Sequence, residues 1–230
     1  MTLTDYIALA VFAALWTGYN WATDGKVQLK RVSLTRLMME NRRRWILNSL
    51  NRDLKMIDTQ IVAGLQAGTA FFASTTIFAL GGCFALLGAT EQVQTIMSDL
   101  PYVFHGGRSS FELKVGGLAC LFAYAFFKFA WSYRLFNYCS ILIGGIPMMS
   151  DMLQDKAAAE RAANRAVKMN ILAAKHFNAG LRSVFLSIGY LGWFVSPYVF
   201  IALTIFVIFV LTRRQFYSEA RAALLDDANA

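Results

Sequence analysis

Four stretches of this chain, residues 3–22, 61–89, 115–137 and 184–211, are almost wholly apolar, and each is long enough to matter. A helix rising ~1.5 Å per residue needs about 20 such residues to cross a ~30 Å hydrocarbon layer. Segments of this kind restrict the fold to an all-α integral membrane protein with four transmembrane helices, formed as one membrane domain over residues 1–230. The rest of the composition agrees: 57% of residues are hydrophobic and only 16% charged, too apolar for an ordinary soluble domain. The first stretch has the length of a signal peptide's core, but it lacks a basic start. Its only early charge is Asp5, with Lys26, Lys30 and Arg31 following the apolar run, which predicts a retained helix.

The net charge of +8 could suggest nucleic acid, yet the positions of the charges give a different account. Residues 23–60 carry nine Lys or Arg and residues 138–182 carry six, against two in 90–114 and three after 211. By the positive-inside rule the two basic connections face the cytoplasm. The expected location is a bacterial inner membrane, with the N-terminus, the 90–114 loop and the C-terminus outside and no nucleic-acid partner.

Both connections read as helical arms. In residues 34–58, Met39, Ile46, Leu50, Leu54 and Ile57 fall on one helical face. Opposite and beside them lie Arg42, Arg43, Arg44, Arg52 and Lys55, the pattern of a helix lying among anionic lipid headgroups or packed on its own protein. In residues 151–178, Asp151 with Gln154 makes a capping box before an Ala-rich stretch of mixed charge, which predicts a water-exposed helix, with Gly180 loosening its join to the last span. Gly144, Gly145 and Pro147 end the third span, Ser109 with Glu112 caps its start, and residues 218–230 read as a loose tail.

Polar and small residues inside the spans are the candidate site. Nine of the seventeen residues in Phe122–Tyr138 are aromatic, interrupted by Lys128 and Arg134. Charges at that depth need a reason. Lys128 either snorkels toward the cytoplasmic surface over neighbouring rings or faces a polar path with Arg134 and Asn137. Asp58 is the nearest acid by depth, the expected ion-pair partner for Arg134 or Lys128. Gly64 with Gly68, and Gly192 with Ser196, have the small-residue spacing that lets helices approach closely, within one subunit or between copies.

The stretches Asn41-Arg42-Arg43-Arg44-Trp45, Ile57-Asp58-Thr59-Gln60, Phe71-Phe72-Ala73-Ser74-Thr75, Asp99-Leu100-Pro101, the run Tyr124 to Ser140, and His176-Phe177-Asn178-Ala179-Gly180-Leu181-Arg182 resemble the domain-of-unknown-function 599 family almost end to end. The resemblance implies the four-span membrane fold and brings no activity, cofactor or substrate with it.

Catalytic motifs are absent: there is no GxSxG, HExxH, phosphate-binding loop or cysteine ligand pair, and His105 and His176 are far apart in the chain. The sequence therefore reads as a non-enzyme without cofactor or metal. Two functions remain in competition. One is a homo-oligomeric channel or transport-type protein with a cationic path; the other is a structural or accessory subunit that binds a larger membrane complex or lipid.

Overall fold

A computed structural model of the protein describes residues 1–23, 31–98, 107–148 and 155–226, and these are helical throughout, with no strand among them. The helices are α1 (Leu3–Thr23), α2 (Leu34–Asn48), α3 (Met56–Gly88), α4 (Thr90–Ser98), α5 (Arg108–Gly144), α6 (Lys156–Leu191), α7 (Pro197–Phe216) and α8 (Glu219–Asp226). Short 3₁₀ turns at Ser49–Asn51 and Gly192–Phe194 follow α2 and α6. Three helical stretches, Met56–Gly88, Arg108–Gly144 and Pro197–Leu225, are long and apolar enough to cross a membrane.

The frame is a long antiparallel pair. With 37 and 36 residues, α5 and α6 each extend roughly 55 Å, so the pair is longer than a bilayer core is thick. Their register is marked by Cys139 against Ala166, Ser132 against Ala173, and Ser183 against Leu121, each bonding through a backbone carbonyl. The close approach comes from small residues on α6: Ala159, Ala163, Ala166 and Ala173 are completely buried. The expected water-exposed helix thus has one buried face, because alanines repeating every three or four residues form a groove as readily as a solvated surface. Gly180 does not loosen α6; it receives the ring of Phe129, which a Cβ there would meet at 2.7 Å. The start of α6 lies one turn later than expected, at Asp155, whose carboxylate accepts from Ala158 N at 2.8 Å. The capping box at Asp151 and Gln154 lies outside the described residues.

α3 packs along α5, with Phe72 stacked on Phe129 at 5.5 Å and edge-on to Phe177 of α6 at 5.6 Å. α1 and α7 cover the other half of α6, where Phe12, Tyr190, Trp193 and Phe200 share one aromatic cluster. A second core holds Ile46 and Leu50 against Leu135, Ile143 and the α6 alanines, at the end of the pair where α2 docks. We call this the arm end.

The expected span 184–211 is not one helix. Residues 184–191 belong to α6, the chain turns at Gly192–Phe194, and α7 begins at Pro197. Ser196 is the N-cap, accepting from Val199 N at 3.2 Å, and Pro197 occupies the first turn, where its missing N–H costs nothing and its ring excludes a helical residue before it. Gly192 therefore lies in a turn pressed against Phe200 and Leu203, and Ser196 is a cap, so neither is a small residue on a membrane helix.

That turn reverses the chain and returns its C-terminal end to the arm end. Gln215 donates to Thr35 Oγ1 at 2.6 Å, Arg221 to Val32 O at 2.8 Å, and Arg31 stacks on Tyr217 at 4.7 Å. The end of α7 is thus beside α2 at the arm end, whereas Asp5 of α1 meets Trp193 at the far end. The start of α1 and the end of α7 therefore lie at opposite ends of the bundle, the latter beside α2. Part of the expected tail is α8, tied down by the Arg221 bond; residues 227–230 lie outside the described residues. At the start of α5 the N-cap is Gly107, while Glu112 binds Arg108 at 2.8 Å instead of forming a box with Ser109. At its other end, Gly144 and the cap Gly145 close α5 as expected.

Candidate functional site

The basic arm breaks earlier than its apolar period suggests. α2 stops at Asn48, and residues 52–55 form an elbow into α3. The cause is a polar knot: Asp58, fully buried in the first turn of α3, accepts from Arg52 Nη1 at 2.6 Å and from Trp45 Nε1 at 2.7 Å. An acid in the first turn of a helix is also favoured by the helix dipole. Lys55 donates to the carbonyls of Ile146 and Pro147 at 2.6 and 2.9 Å, closing the chain beyond α5. Burial pushes the Lys55 ammonium down from its ordinary value, and the Asp58 charge opposes that. Asp58 therefore takes Arg52, not Arg134 or Lys128. Arg52 and Lys55 serve the elbow, and Leu54 and Ile57 stand exposed beside it.

The remaining arm arginines divide. Arg43 and Arg44 are exposed and lie 4.0 and 3.8 Å from Glu40, weak pairs at that exposure that remain compatible with headgroup contact. Arg42 turns inward. Its Nη1 donates to Asn170 Oδ1 on α6 at 2.7 Å, and Asn170 in turn donates to Cys139 Sγ at 3.4 Å. Burial pushes the Arg42 guanidinium down from its ordinary value, since its neutral partner offsets little of the lost hydration.

The third-span residues do not converge. Lys128 is half-buried over the Tyr124 ring at 5.2 Å. Arg134 is exposed on another face, donating to Tyr138 Oη at 2.6 Å and lying over the Trp131 ring at 5.9 Å. Asn137 accepts from Gln66 of α3 at 2.6 Å. Steps of six and three residues turn a helix through about 240° and 300°, so this dispersal is a consequence of the spacing. Gly64 and Gly68 face away from every other helix, with nothing within 4 Å of a Cβ at either position.

Sequence reasoning missed two sites. At the far end, Asp5, Lys114 and Trp193 form a buried polar group joining α1, α5 and the turn before α7. At the arm end, a cavity of about 250 Å³ lies between the end of α1, the start of α2, the middle of α6 and the end of α7. Thr23, Arg182 and Arg214 line it. A second cavity of about 220 Å³ adjoins it between α2 and α6, lined by Arg42, and the two share Leu34, Thr35, Asn178 and Gln215. Arg182, buried and bonded to Thr23 Oγ1 at 3.2 Å, comes from α6; Arg214, over the Phe185 ring at 5.7 Å, comes from α7. The only early signal was positional: Arg182 is the last charge of the basic connection, directly before the apolar run that begins at residue 184.

Helices throughout, three of them fit to cross a membrane, and charged groups gathered at the bundle's ends define a helical protein of the membrane-spanning class. The chain belongs to the family described as Protein of unknown function, DUF599, whose model matches residues 7–220. No curated protein and no solved structure matches it.

Proposed function

We propose that the protein is a polytopic cell-membrane protein that works as an assembly of copies joined through α3. The observation that carries this reading is the open face of α3. Ile61, Gly64, Gly68, Phe71, Phe78 and Gly82 lie along one side of a 33-residue apolar helix and are exposed, while the other side is packed on α5. Lipid chains fill a glycine groove poorly, and a second helix fills it well. An accessory or scaffold role fits such an assembly, because Lys128, Arg134 and Asn137 point in different directions and offer no polar route through one copy. The channel reading is supported by Gln60 and Thr75, also exposed on α3, which could line a path between copies. In mild detergent the purified protein is expected to have the mass of a dimer or larger, and Gly64→Leu with Gly68→Leu should reduce it to a monomer. An unchanged mass in the double variant would remove α3 from the contact. Reconstituted ion flux that is lost in Gln60→Leu would favour the channel over the scaffold.

The reading includes an orientation. α1, at 21 residues, lies beside α7, and the outer half of α6 lies beside the apolar part of α5, so both are read as crossings along with α3, α5 and α7. With the C-terminal end grouped with the arms, eighteen Lys or Arg fall on one side in the connections and two on the other, a stronger positive-inside bias than before. In intact cells carrying a cysteine-free background, Gly107→Cys should react with an impermeant thiol reagent, and Asn48→Cys and Glu219→Cys should not. Reaction at Glu219→Cys would overturn this orientation.

A further inference from the structure

We propose that the open face of α3 docks on the α5 stripe Phe127, Trp131, Arg134, Tyr138 and Ile141 of a second copy, in the half of the bundle that projects beyond the membrane, with α3 of each copy meeting α5 of the next around a ring of three or more. The inference rests on the membrane reading and on the assembly through α3 proposed above, and it names the surface that α3 meets.

The bundle is longer than the membrane on its arm side. At 21 and 20 residues, α1 and α7 each rise roughly 30 Å, the thickness of one hydrocarbon core, so their arm ends mark its edge. Twelve residues carry α7 from Thr204 to Phe216, and twelve carry α6 back from Gly189, which packs on Thr204, to Phe177. Phe177 is edge-on to Phe129 at 5.5 Å, and Phe129 is stacked on Phe72. α3 before Phe72 and α5 after Phe129 thus project beyond that edge, by roughly 24 Å for α3 from Met56 onward. The charges agree: over the same stretch α6 exposes Glu160, Arg161, Arg165, Lys168 and Lys175, a surface that belongs in water. On the α3 and α5 side this layer is apolar. Ile57, Ile61 and Phe71 are exposed on α3, as are Trp131, Tyr138 and Ile141 on α5. With Phe127 at the edge, the aromatic members alone present roughly 400 Å² at ~200 Å² per whole side chain, the size of the largest patch on a typical monomer. Lipid tails do not reach this level, so protein covers it.

A second copy fits that role. Copies in one membrane stand upright and parallel, so only surfaces at the same level can meet. α3 and α5 share a level throughout the layer, from Phe72 on Phe129 to Lys55 on the Ile146 carbonyl. Small residues of α3, Ala63, Gly64, Ala67 and Gly68, are therefore level with the large Tyr138, Arg134 and Trp131 of α5, a groove for a ridge. The ridge is continuous, because steps of four, three, four and three residues from Phe127 to Ile141 hold one helical face. Arg134 enters the contact already bonded to Tyr138 Oη and set over the Trp131 ring, so no bare cation is buried. Pairing α3 with α3 would leave the α5 stripe in water, and pairing α5 with α5 would leave α3 there; contact between the unlike surfaces covers both. Val62, Thr69 and Thr76 are buried on the inner side of α3, and Gly64 and Phe71 lie about half a turn round from it. The open face thus looks away from its own α5, which prevents two copies from satisfying each other and requires at least three.

The test uses the full-length protein in the membranes of expressing cells, in a cysteine-free background, with two separately tagged versions made together and a short bifunctional maleimide as the probe. Gly68→Cys in one version and Trp131→Cys in the other should crosslink to each other, and neither should crosslink to itself. A chain carrying both changes should give a ladder that stops at the ring. Gln60→Cys with Ile141→Cys, a second pair at one level, repeats the test away from the glycines. In mild detergent, Trp131→Ala should reduce the assembly to single chains, whereas Phe84→Ala, which removes a ring 62% exposed at the level of the lipid, should leave its mass unchanged. Both rings are exposed, so their loss leaves the core intact. A Gly68→Cys homodimer with no mixed product overturns the α3–α5 contact and leaves assembly through α3 standing. Single-chain mass with no crosslink from any variant overturns both. Crosslinking of Trp131→Cys to a different protein alone assigns the stripe to another partner and overturns the inference.

Discussion

Gly189→Val is expected to destabilise the detergent-purified protein by about 3 kcal/mol more than the same change at Gly116, the upper part of the usual range for overpacking. Gly116 lies inside α5 and Gly189 in the last turn of α6, so the propensity gain on losing glycine, at most about 1 kcal/mol, differs less between them than the clash does. What differs is space. A Cβ at Gly116 meets nothing within 4 Å, whereas one at Gly189 lies 3.1 Å from the Thr204 Cα and 3.3 Å from its backbone nitrogen. Backbone cannot rotate away as a side chain can, so relief requires α7 to move as a unit. It is held at one end by the Gly192–Phe194 turn and at the other by Gln215 on Thr35. Unfolding by SDS in mixed micelles measures the difference. Equal midpoints for the two variants would mean that α6 and α7 do not pack at this distance, and the chain reversal before α7 would fall with that contact.

That reversal shows where the sequence could be read and where it could not. Apolar length alone reveals the helical membrane class, because the bilayer sets a minimum that few soluble helices reach. It does not reveal a break inside an apolar run: residues 184–211 carry no charge, and hydropathy is blind to the Ser-Pro pair at 196–197 that starts a new helix. The capping chemistry was in the sequence, and the length of the run outweighed it. The arm failed for a different reason. Its apolar period continues past Asn48, but Asp58, Arg52 and Trp45 gain more from meeting in a buried group than the helix gains by continuing. The cavity at the arm end was out of reach for local patterns, since Thr23, Arg182 and Arg214 line it from three different helices and reach it only through helix packing. Gly64 and Gly68 could be recognised as a packing pair, but spacing cannot tell which helix, if any, covers them.

Asp5→Leu is expected to cost about 3 kcal/mol, the cost of breaking a buried charged group from one side, and to free α1 from the bundle. Asp5 is fully buried, accepting from Trp193 Nε1 at 2.7 Å and from Thr2 N and Oγ1 at 2.8 and 2.9 Å. Lys114, 4% exposed, donates to the Trp193 carbonyl at 2.8 Å and lies 5.4 Å from the centre of its ring. The indole therefore stands between the two charges and joins three elements at one point. Leucine at position 5 keeps most of the volume, so the loss is polar: Trp193 Nε1 loses its acceptor and Lys114 its neighbouring negative charge. If the ammonium is the costlier remnant, Lys114→Met should destabilise the wild type yet cost less, or even restore stability, in the Asp5→Leu background. The double-mutant cycle should then show a coupling of at least about 1 kcal/mol, beyond the ~0.5 kcal/mol expected of independent sites. Trp193→Phe removes the donor together with part of a fully buried ring, so it should cost at least as much as Asp5→Leu, the cavity adding to the lost hydrogen bond. The same variants report on α1 directly, because a proteolytic cut in residues 24–30 should release α1 from the bundle in Asp5→Leu and leave it bound in the wild type. Strict additivity of the two charge changes, with α1 retained in every variant, would show that the aromatic cluster around Phe12 and Phe200 holds α1 in place without the polar group.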